Sequence, residues 1–167
     1  LRLAAEDDAV QTLLVNFDRL AGATPAAMYE IAEEMTAFRE AGKEIIVYGD
    51  NFSNASWFLA AHGDEVHLND YGGALITGYG SFRTYFRSLL DNLMVTVNVY
   101  RVGTFKSALE PFLGDEMSEA AQEANRFLFG GIWENYQRAA EEARGLPRGA
   151  VQAVADDAPD MLEAAGG

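Results

Sequence analysis

The sequence predicts an α/β fold with a mainly parallel sheet. Short apolar runs of strand length alternate along the chain with longer segments whose apolar residues recur at helical spacing. Strands that alternate with helices in this way favour a layered α/β architecture. The 167 residues contain no internal repeat and no long linker, so one domain with a substantial core is expected.

Three strands and three helical segments are predicted in the first half of the chain. The strands are the short apolar or alternating runs at residues 12–17, 44–48 and 65–69. Thr24 is a candidate N-cap, Pro25 suits the first helical position, and Gly42 ends the helix that follows them. A shorter helix is expected from Ser53 to His62. The opening residues 3–9 also have a helical pattern.

The next part of the chain carries the clearest amphipathic pattern. Gly72 and Gly73 indicate a turn before it. Apolar residues three and four apart then predict a helix, and they are Phe82, Tyr85, Phe86, Leu89, Leu90 and Leu93. Valines at 95, 97 and 99 alternate with polar residues, which predicts a strand with one wetter face.

The last predicted element is a long helix. A loop over residues 103–115 leads to Ser118, a candidate N-cap, and Gly145 ends the broad apolar stripe that follows. The remaining residues are rich in Ala, Asp and Gly, so they are expected to form a short helix or a loosely ordered tail. We therefore assign residues 1–147 to the α/β domain and 148–167 to the tail.

Composition excludes several classes of function. The net charge of −14 and the isoelectric point of about 4.4 leave no basic face for a phosphate backbone, so nucleic acid is not an expected partner. The absence of cysteine excludes disulfides, thiolate metal sites and a cysteine nucleophile. No apolar run approaches the length of a membrane span, and no signal peptide is visible.

Common catalytic motifs are also missing. The two histidines, His62 and His67, are expected to have structural roles, and neither belongs to a recognisable metal cluster. There is no G-x-S-x-G elbow, no P-loop and no dinucleotide fingerprint. Adjacent carboxylates occur at several places, but adjacency gives no evidence of two acids facing each other across a cleft.

One segment contains a lysine in an unusually apolar setting. Lys106 follows the end of a predicted strand and lies among Phe105, Leu109 and Phe112. A neutral lysine can act as a general base for a serine hydroxyl, but its ordinary pKa of about 10.4 must first fall by several units, as burial allows. The residues alone favour the other interpretation, a surface lysine whose aliphatic stem covers apolar neighbours.

The wider segment resembles the signal peptide peptidase A family, in the long form with two similar halves in one chain. The lysine motif is VGTFKSALEPF followed by DEMS, and it is preceded by GKEIIVYGDNFSNASWFLAAHGDEVHLNDYGG and YFRSLLDNLMVTVNVYRVG. The resemblance covers residues 13–143. It implies a crotonase/ClpP-like spiral of β-β-α units, a domain that here lacks its first strand, and Lys106 as the general base.

The chain departs from that family at the position of the nucleophile. In single-half relatives a serine opens the short helix just before two aromatic residues, which are Trp57 and Phe58 here, so the aligned residue is Asn54. Ser53 and Ser56 flank it, but a shift of one or two residues turns a helical side chain by roughly 100–200°. Ser107 is too near Lys106 in sequence to be the obvious nucleophile.

The resemblance therefore implies one half of a serine–lysine endopeptidase, with no metal and no cofactor. Its substrates would be residual signal peptides, cleaved through an acyl-enzyme at the periplasmic side of a bacterial inner membrane. The serine would come from another half or a neighbouring subunit, in a homo-oligomer, and the chain alone is expected to be inactive. Two alternatives stay open, namely a non-catalytic assembly domain and a crotonase-type acyl-CoA enzyme.

Overall fold

The computed structural model describes residues 1–20, 22–98 and 107–157, with the exception of the Ser107 side chain. These residues form two compact units, residues 1–78 with those from 134 onward, and the residues between 79 and 133. The sequence did not predict this division. The elements are α1 (Arg2–Glu6), β1 (Thr12–Asn16), α2 (Pro25–Glu40), β2 (Glu44–Phe52), α3 (Asn54–Ala60), β3 (Glu65–Ala74), α4 (Arg87–Asn92), a 3₁₀ turn (Ser107–Leu109), α5 (Glu110–Leu113), α6 (Glu119–Arg144) and α7 (Ala150–Asp156).

The first unit is built on a parallel sheet, which confirms the predicted α/β class. Its strands lie in the order β1-β2-β3, and both neighbouring pairs are parallel. Ile45 and Val47 of the central strand are fully buried. Because β1 and β2 pair in register from Thr12 opposite Glu44 to Asn16 opposite Tyr48, their carboxyl ends lie at the same edge of the sheet.

Helix α2 forms where its capping residues predict. The Thr24 hydroxyl accepts a hydrogen bond from the backbone N–H of Ala27 at 3.3 Å, and Pro25 occupies the first turn. The helix ends at Glu40, before Gly42, whose φ of 80° suits a residue without a side chain. Its buried face consists of Met28, Ala32, Met35 and Phe38.

Phe58 of α3 is the centre of an aromatic cluster in the core. Its ring centroid lies 5.1 Å from that of Tyr29, 5.0 Å from that of His62 and 5.3 Å from that of Tyr136. Phe58 therefore packs against one residue of α2, one residue of α6 and a histidine just after the end of α3. Aromatic pairs at these separations add stability beyond their buried area.

The predicted turn at Gly72 and Gly73 is wrong, because both residues belong to β3. The pairing of β2 with β3 is irregular between Gly49 and Asn51, so the chain bulges where Asp50 lies. A Cβ at Gly72 would overlap the backbone carbonyl of Asp50. The glycine is needed for a close approach between strands rather than for a reversal of the chain.

The helix predicted over residues 82–93 forms only at Arg87–Asn92. The backbone N–H of Phe86 donates to the carbonyl of Pro111 at 2.6 Å, which commits that residue to a tertiary bond. Asp115 then accepts the Ser88 N–H at 3.0 Å and the Ser88 hydroxyl at 2.7 Å, and this defines the start of the helix. The strand predicted from the valines is also wrong for residues 95–98, while Val99 lies outside the described residues.

The long helix α6 begins and ends where the sequence predicts. Ser118 accepts the N–H of Ala121 at 3.3 Å, and Gly145 follows Arg144 with a φ of 63°. The loop predicted over 103–115 contains the 3₁₀ turn and α5 in its described part. None of the described helices combines the length and the apolar composition that a membrane crossing requires.

The described part of the predicted tail contains α7, which belongs to the first unit and bonds to α6. Val151 is 3% exposed, and the buried carboxylate of Glu141 accepts the backbone N–H groups of Gly149 and Val151 at 2.9 and 3.1 Å. No side chain of α7 itself caps the helix, so a residue of α6 does so. The division at residue 147 stays a prediction.

Alanine at Gly72 is expected to destabilise the fold, whereas alanine at Gly73 is not. A Cβ at Gly73 meets nothing within 4 Å, in contrast to the overlap at Gly72. Overpacking of this kind costs about 1–3 kcal/mol. We therefore expect the free energy of unfolding in urea to fall by about that amount in Gly72→Ala only. Equal stabilities of the two variants would contradict the close approach of β3 to β2.

Alanine at Glu141 is expected to release α7. Two backbone donors would lose their buried acceptor, which costs about 1–3 kcal/mol. Urea unfolding measures this loss, and hydrogen exchange locates it, with faster exchange expected at residues 149–152. The exposed neighbour provides the control, and Glu142→Ala should leave both measurements unchanged. Unchanged exchange in Glu141→Ala would show that the carboxylate does not hold this helix.

Candidate active site

Lys106, the predicted general base, lies outside the described residues. The described part of the candidate site is the amino end of α3, where the resemblance places the nucleophile. This helix begins directly after β2, so it starts at the edge of the sheet where the parallel strands end. Side chains at such an edge are well placed to act together.

The two serines beside position 54 bond to each other. Ser53 is the N-cap, and its hydroxyl accepts the Ser56 N–H at 3.4 Å, while the Ser56 hydroxyl accepts the Ser53 N–H at 2.7 Å. The two hydroxyl oxygens lie 3.2 Å apart, and Ser56 is only 2% exposed. This reciprocal arrangement is a capping box. Both hydroxyls are thereby committed to starting the helix.

Asn54 uses both ends of its side-chain amide on neighbouring backbone groups. Its Nδ2 donates to the carbonyl of Gly78 at 2.7 Å, and its Oδ1 accepts the N–H of Thr77 at 3.0 Å. The residue is half-buried, so the two bonds are partly shielded from water. We call this arrangement the Asn54 clamp. The clamp holds the backbone that follows β3.

The main chain of Asn54 is held as well. The Tyr136 hydroxyl donates to the carbonyl oxygen of Asn54 at 2.9 Å, and Tyr136 is 2% exposed. Because Tyr136 also packs against Phe58, the bond joins α6 to the first turn of α3. The amino end of α3 is therefore fixed on two sides.

Neither histidine is arranged as a general base in the described structure. His62 is buried, its Nδ1 donates to the carbonyl of Phe58 at 2.8 Å, and burial lowers its pKa. His67 is exposed and bonds to Glu65 of the same strand at 3.0 Å. Across residues 1–20, 22–98 and 107–157, no group of three or more acidic, histidine or cysteine side chains could hold a metal ion.

An open cleft of about 560 Å³ lies beside these residues. It is formed where β1 and β2 end and α3 begins, entirely within the first unit. Its lining includes Phe17, Leu20, Phe52 and Leu75, with Asp18 and the capping serines at its polar side. We call it the strand-end cleft.

Sequence reasoning placed Asn54 correctly at the start of α3 but missed its partners. Thr77, Gly78 and Tyr136 lie 23, 24 and 82 residues away in sequence, beyond the reach of any local pattern. A buried tyrosine is a weak signal, since Tyr usually finds a partner for its hydroxyl when it is buried. Nothing in the sequence indicated that the partner would be the Asn54 carbonyl.

The family is shown by comparison with known proteins. Residues 37–165 match the model of peptidase family S49. The chain is 35% identical over 148 residues to Protease 4 of Haemophilus influenzae, covering 89% of this chain and 24% of that protein. It is 35% identical over 136 residues to Protease 4 of Salmonella typhi, covering 81% and 22%.

The chain thus spans about a quarter of the length of these curated relatives. The match includes the amino end of α3 and position 106, so it covers both parts of the candidate site. The observed α/β fold with its parallel sheet is consistent with the crotonase/ClpP-like fold that the resemblance implies. The chain belongs to peptidase family S49.

Proposed function

We propose that this chain is the base-bearing half of a serine–lysine endopeptidase. Its membership of a peptidase family supports proteolysis, and the Asn54 clamp carries the more specific proposal. An amide that bonds to two backbone groups cannot attack a carbonyl, and the serines beside it are committed to a capping box. In this proposal the nucleophile is supplied from outside this chain.

Lys106 acts as the base in this proposal. The chain has two lysines, and Lys43 donates to the carbonyl oxygens of Ala4 and Asp7 at 2.6 Å each, which gives it a structural task. A neutral Lys106 amine accepts the proton of the serine hydroxyl, and the serine oxygen attacks the peptide carbonyl. The proton then passes to the leaving amine, and water hydrolyses the acyl-enzyme.

The substrates we propose are residual signal peptides at the periplasmic side of a bacterial inner membrane. This follows from the resemblance of the lysine segment. The serine-bearing half, or a neighbouring subunit in a homo-oligomer, completes the site. An acyl-CoA substrate is a weaker candidate, because a net charge of −14 is unfavourable for the phosphates of CoA.

A non-catalytic assembly domain is the second candidate. The same clamp favours it, since a domain that only supports an oligomer also has no need of a nucleophile at position 54. The two candidates differ in the role of Lys106. In the assembly domain, the lysine makes no contribution to turnover.

Replacement of Lys106 is expected to abolish most turnover in the full-length protein that contains this chain. Loss of a general base slows turnover by about 10²- to 10⁴-fold. Lys106→Arg should lose as much as Lys106→Ala, because a guanidinium does not give up its proton at physiological pH. Hydrolysis of a signal-peptide-like substrate measures the effect, with Lys43→Arg as the matched control that keeps its activity. Full activity of Lys106→Ala would favour the assembly domain.

Alanine at Ser53 or Ser56 is expected to leave the turnover rate almost unchanged. Ser53→Ala should instead lower the free energy of unfolding by about 1 kcal/mol, because it removes an N-cap. The same peptide assay and urea unfolding separate these two effects. If either variant stays folded and yet loses turnover as severely as Lys106→Ala, the nucleophile lies inside this chain.

A further inference from the structure

The strand-end cleft lies beside the amino end of α3, in a chain whose position 54 is not a nucleophile. Phe17 and Phe52 form a buried apolar floor, at 8% and 2% exposure. Leu75 stands at the side and is 39% exposed, so it presents apolar surface to whatever enters. Concave sites with apolar walls and a few polar groups are the usual form of a ligand site.

The polar side of this cleft is negatively charged. Asp18 accepts the N–H of Asp50 at 2.5 Å and the Asn16 amide at 2.9 Å, and these bonds hold the pKa of its carboxyl below its ordinary value. Among the described side chains, no Lys or Arg forms an ion pair with Asp18. The neighbouring Asp50 is exposed as well. An occupant that brings a positive charge would therefore be favoured at this rim.

We propose that the strand-end cleft holds, without cleaving it, an apolar peptide segment that has a basic residue beside it. The inference rests on the proposed function for the class of substrate. Signal peptides have this pattern, a basic region followed by an apolar run. The apolar side chains contact Phe17, Phe52 and Leu75, and the basic side chain lies near Asp18.

The same residues explain why a bound peptide is not cut here. Asn54 is held by Thr77 and Gly78, and the hydroxyls of Ser53 and Ser56 bond within the capping box. The cleft therefore retains substrate contacts while the chemistry takes place at another position. It serves as a holding site for the substrate.

Two positions allow the cleft to be altered with little effect on the fold. Gly73 lines it, and a Cβ there meets nothing within 4 Å, so Gly73→Leu starts a side chain at the cleft without a clash at its first atom. Asn51 is exposed at the rim, so Asn51→Lys places a positive charge close to Asp18. Gly80 is equally open and does not line the cleft, which makes Gly80→Leu the matched control.

The experiment uses the full-length protein carrying Lys106→Ala and a synthetic peptide with two lysines before a leucine–alanine run. A photoreactive group in the run reports its location by mass spectrometry. We expect cross-links within residues 17–20 and 73–75. Their yield should fall about tenfold in Gly73→Leu, because the leucine would prevent one apolar side chain of the peptide from being buried. The yield should stay unchanged in Gly80→Leu.

The charge is tested separately with Asn51→Lys. This variant should bind the lysine peptide about two- to fivefold more weakly at low ionic strength, and the difference should vanish in high salt. A peptide with glutamines in place of the lysines should not discriminate between Asn51→Lys and wild type. Circular dichroism confirms that each variant is folded.

The proposal is overturned if cross-links fall elsewhere, or if Gly73→Leu and Gly80→Leu give equal yields. Failure of the proposed function is distinguishable, because it is measured by turnover with Lys106 intact or replaced. Cross-linking in the cleft together with full activity of Lys106→Ala would keep the holding site and reject the base. Loss of activity in Lys106→Ala without cross-links in the cleft would support Lys106 as the base and reject the holding site.

Discussion

The candidate site depends on the two hydrogen bonds of the Asn54 carboxamide. It contributes one donor and one acceptor, and the structure uses both on consecutive residues, Gly78 and Thr77. Helix α3 has seven residues, too few to be stable by itself in water. Its position therefore depends on tertiary bonds, chiefly this clamp, the hydrogen bond from Tyr136 and the packing of Phe58. The carboxamide has no hydroxyl or thiol that could attack a peptide carbonyl, so position 54 has a structural task.

The edge of the sheet beside α3 is held by a second network. Asp18, at the end of β1, bonds to the backbone of Asp50 where β2 bulges, and Asn69 of β3 donates to the Asp50 carboxylate at 2.9 Å. Gly49 leaves room for this bond, because a Cβ there would lie 3.1 Å from the Asp18 carboxylate, a tight contact. The three strands are thus joined by polar bonds that also place the Asp18 carboxylate at the cleft. The same hydrogen bonds hold the strands together and fix the position of the negative charge at the cleft.

Local patterns predicted the elements whose ends are fixed by local bonds. Thr24, Pro25 and Ser118 lie within a few residues of the groups they cap, and α2 and α6 begin where these residues indicate. The helix predicted from residue 82 failed because Phe86 and Ser88 bond to Pro111 and Asp115, more than 20 residues away.

At the site, too, only the locally determined features could be predicted. Ser53 and Asn54 could be placed at the start of α3 from the aromatic residues that follow them. The clamp could not be predicted, since nothing in the sequence near Thr77 and Gly78 indicates it. The glycine pair at 72–73 looks like a turn in the sequence, because the close approach of the Asp50 carbonyl is visible only in the structure. Lys106 was found through its sequence motif, and its role stays a proposal.

Covalent labelling of the active serine in the full-length protein tests most directly where the nucleophile lies. A serine-reactive organophosphorus probe, followed by digestion and mass spectrometry, identifies the labelled residue. We expect label on a serine outside this chain, and we expect much less of it when Lys106 is replaced by alanine. Label on Ser53, Ser56 or any other of the six serines of this chain would contradict this expectation.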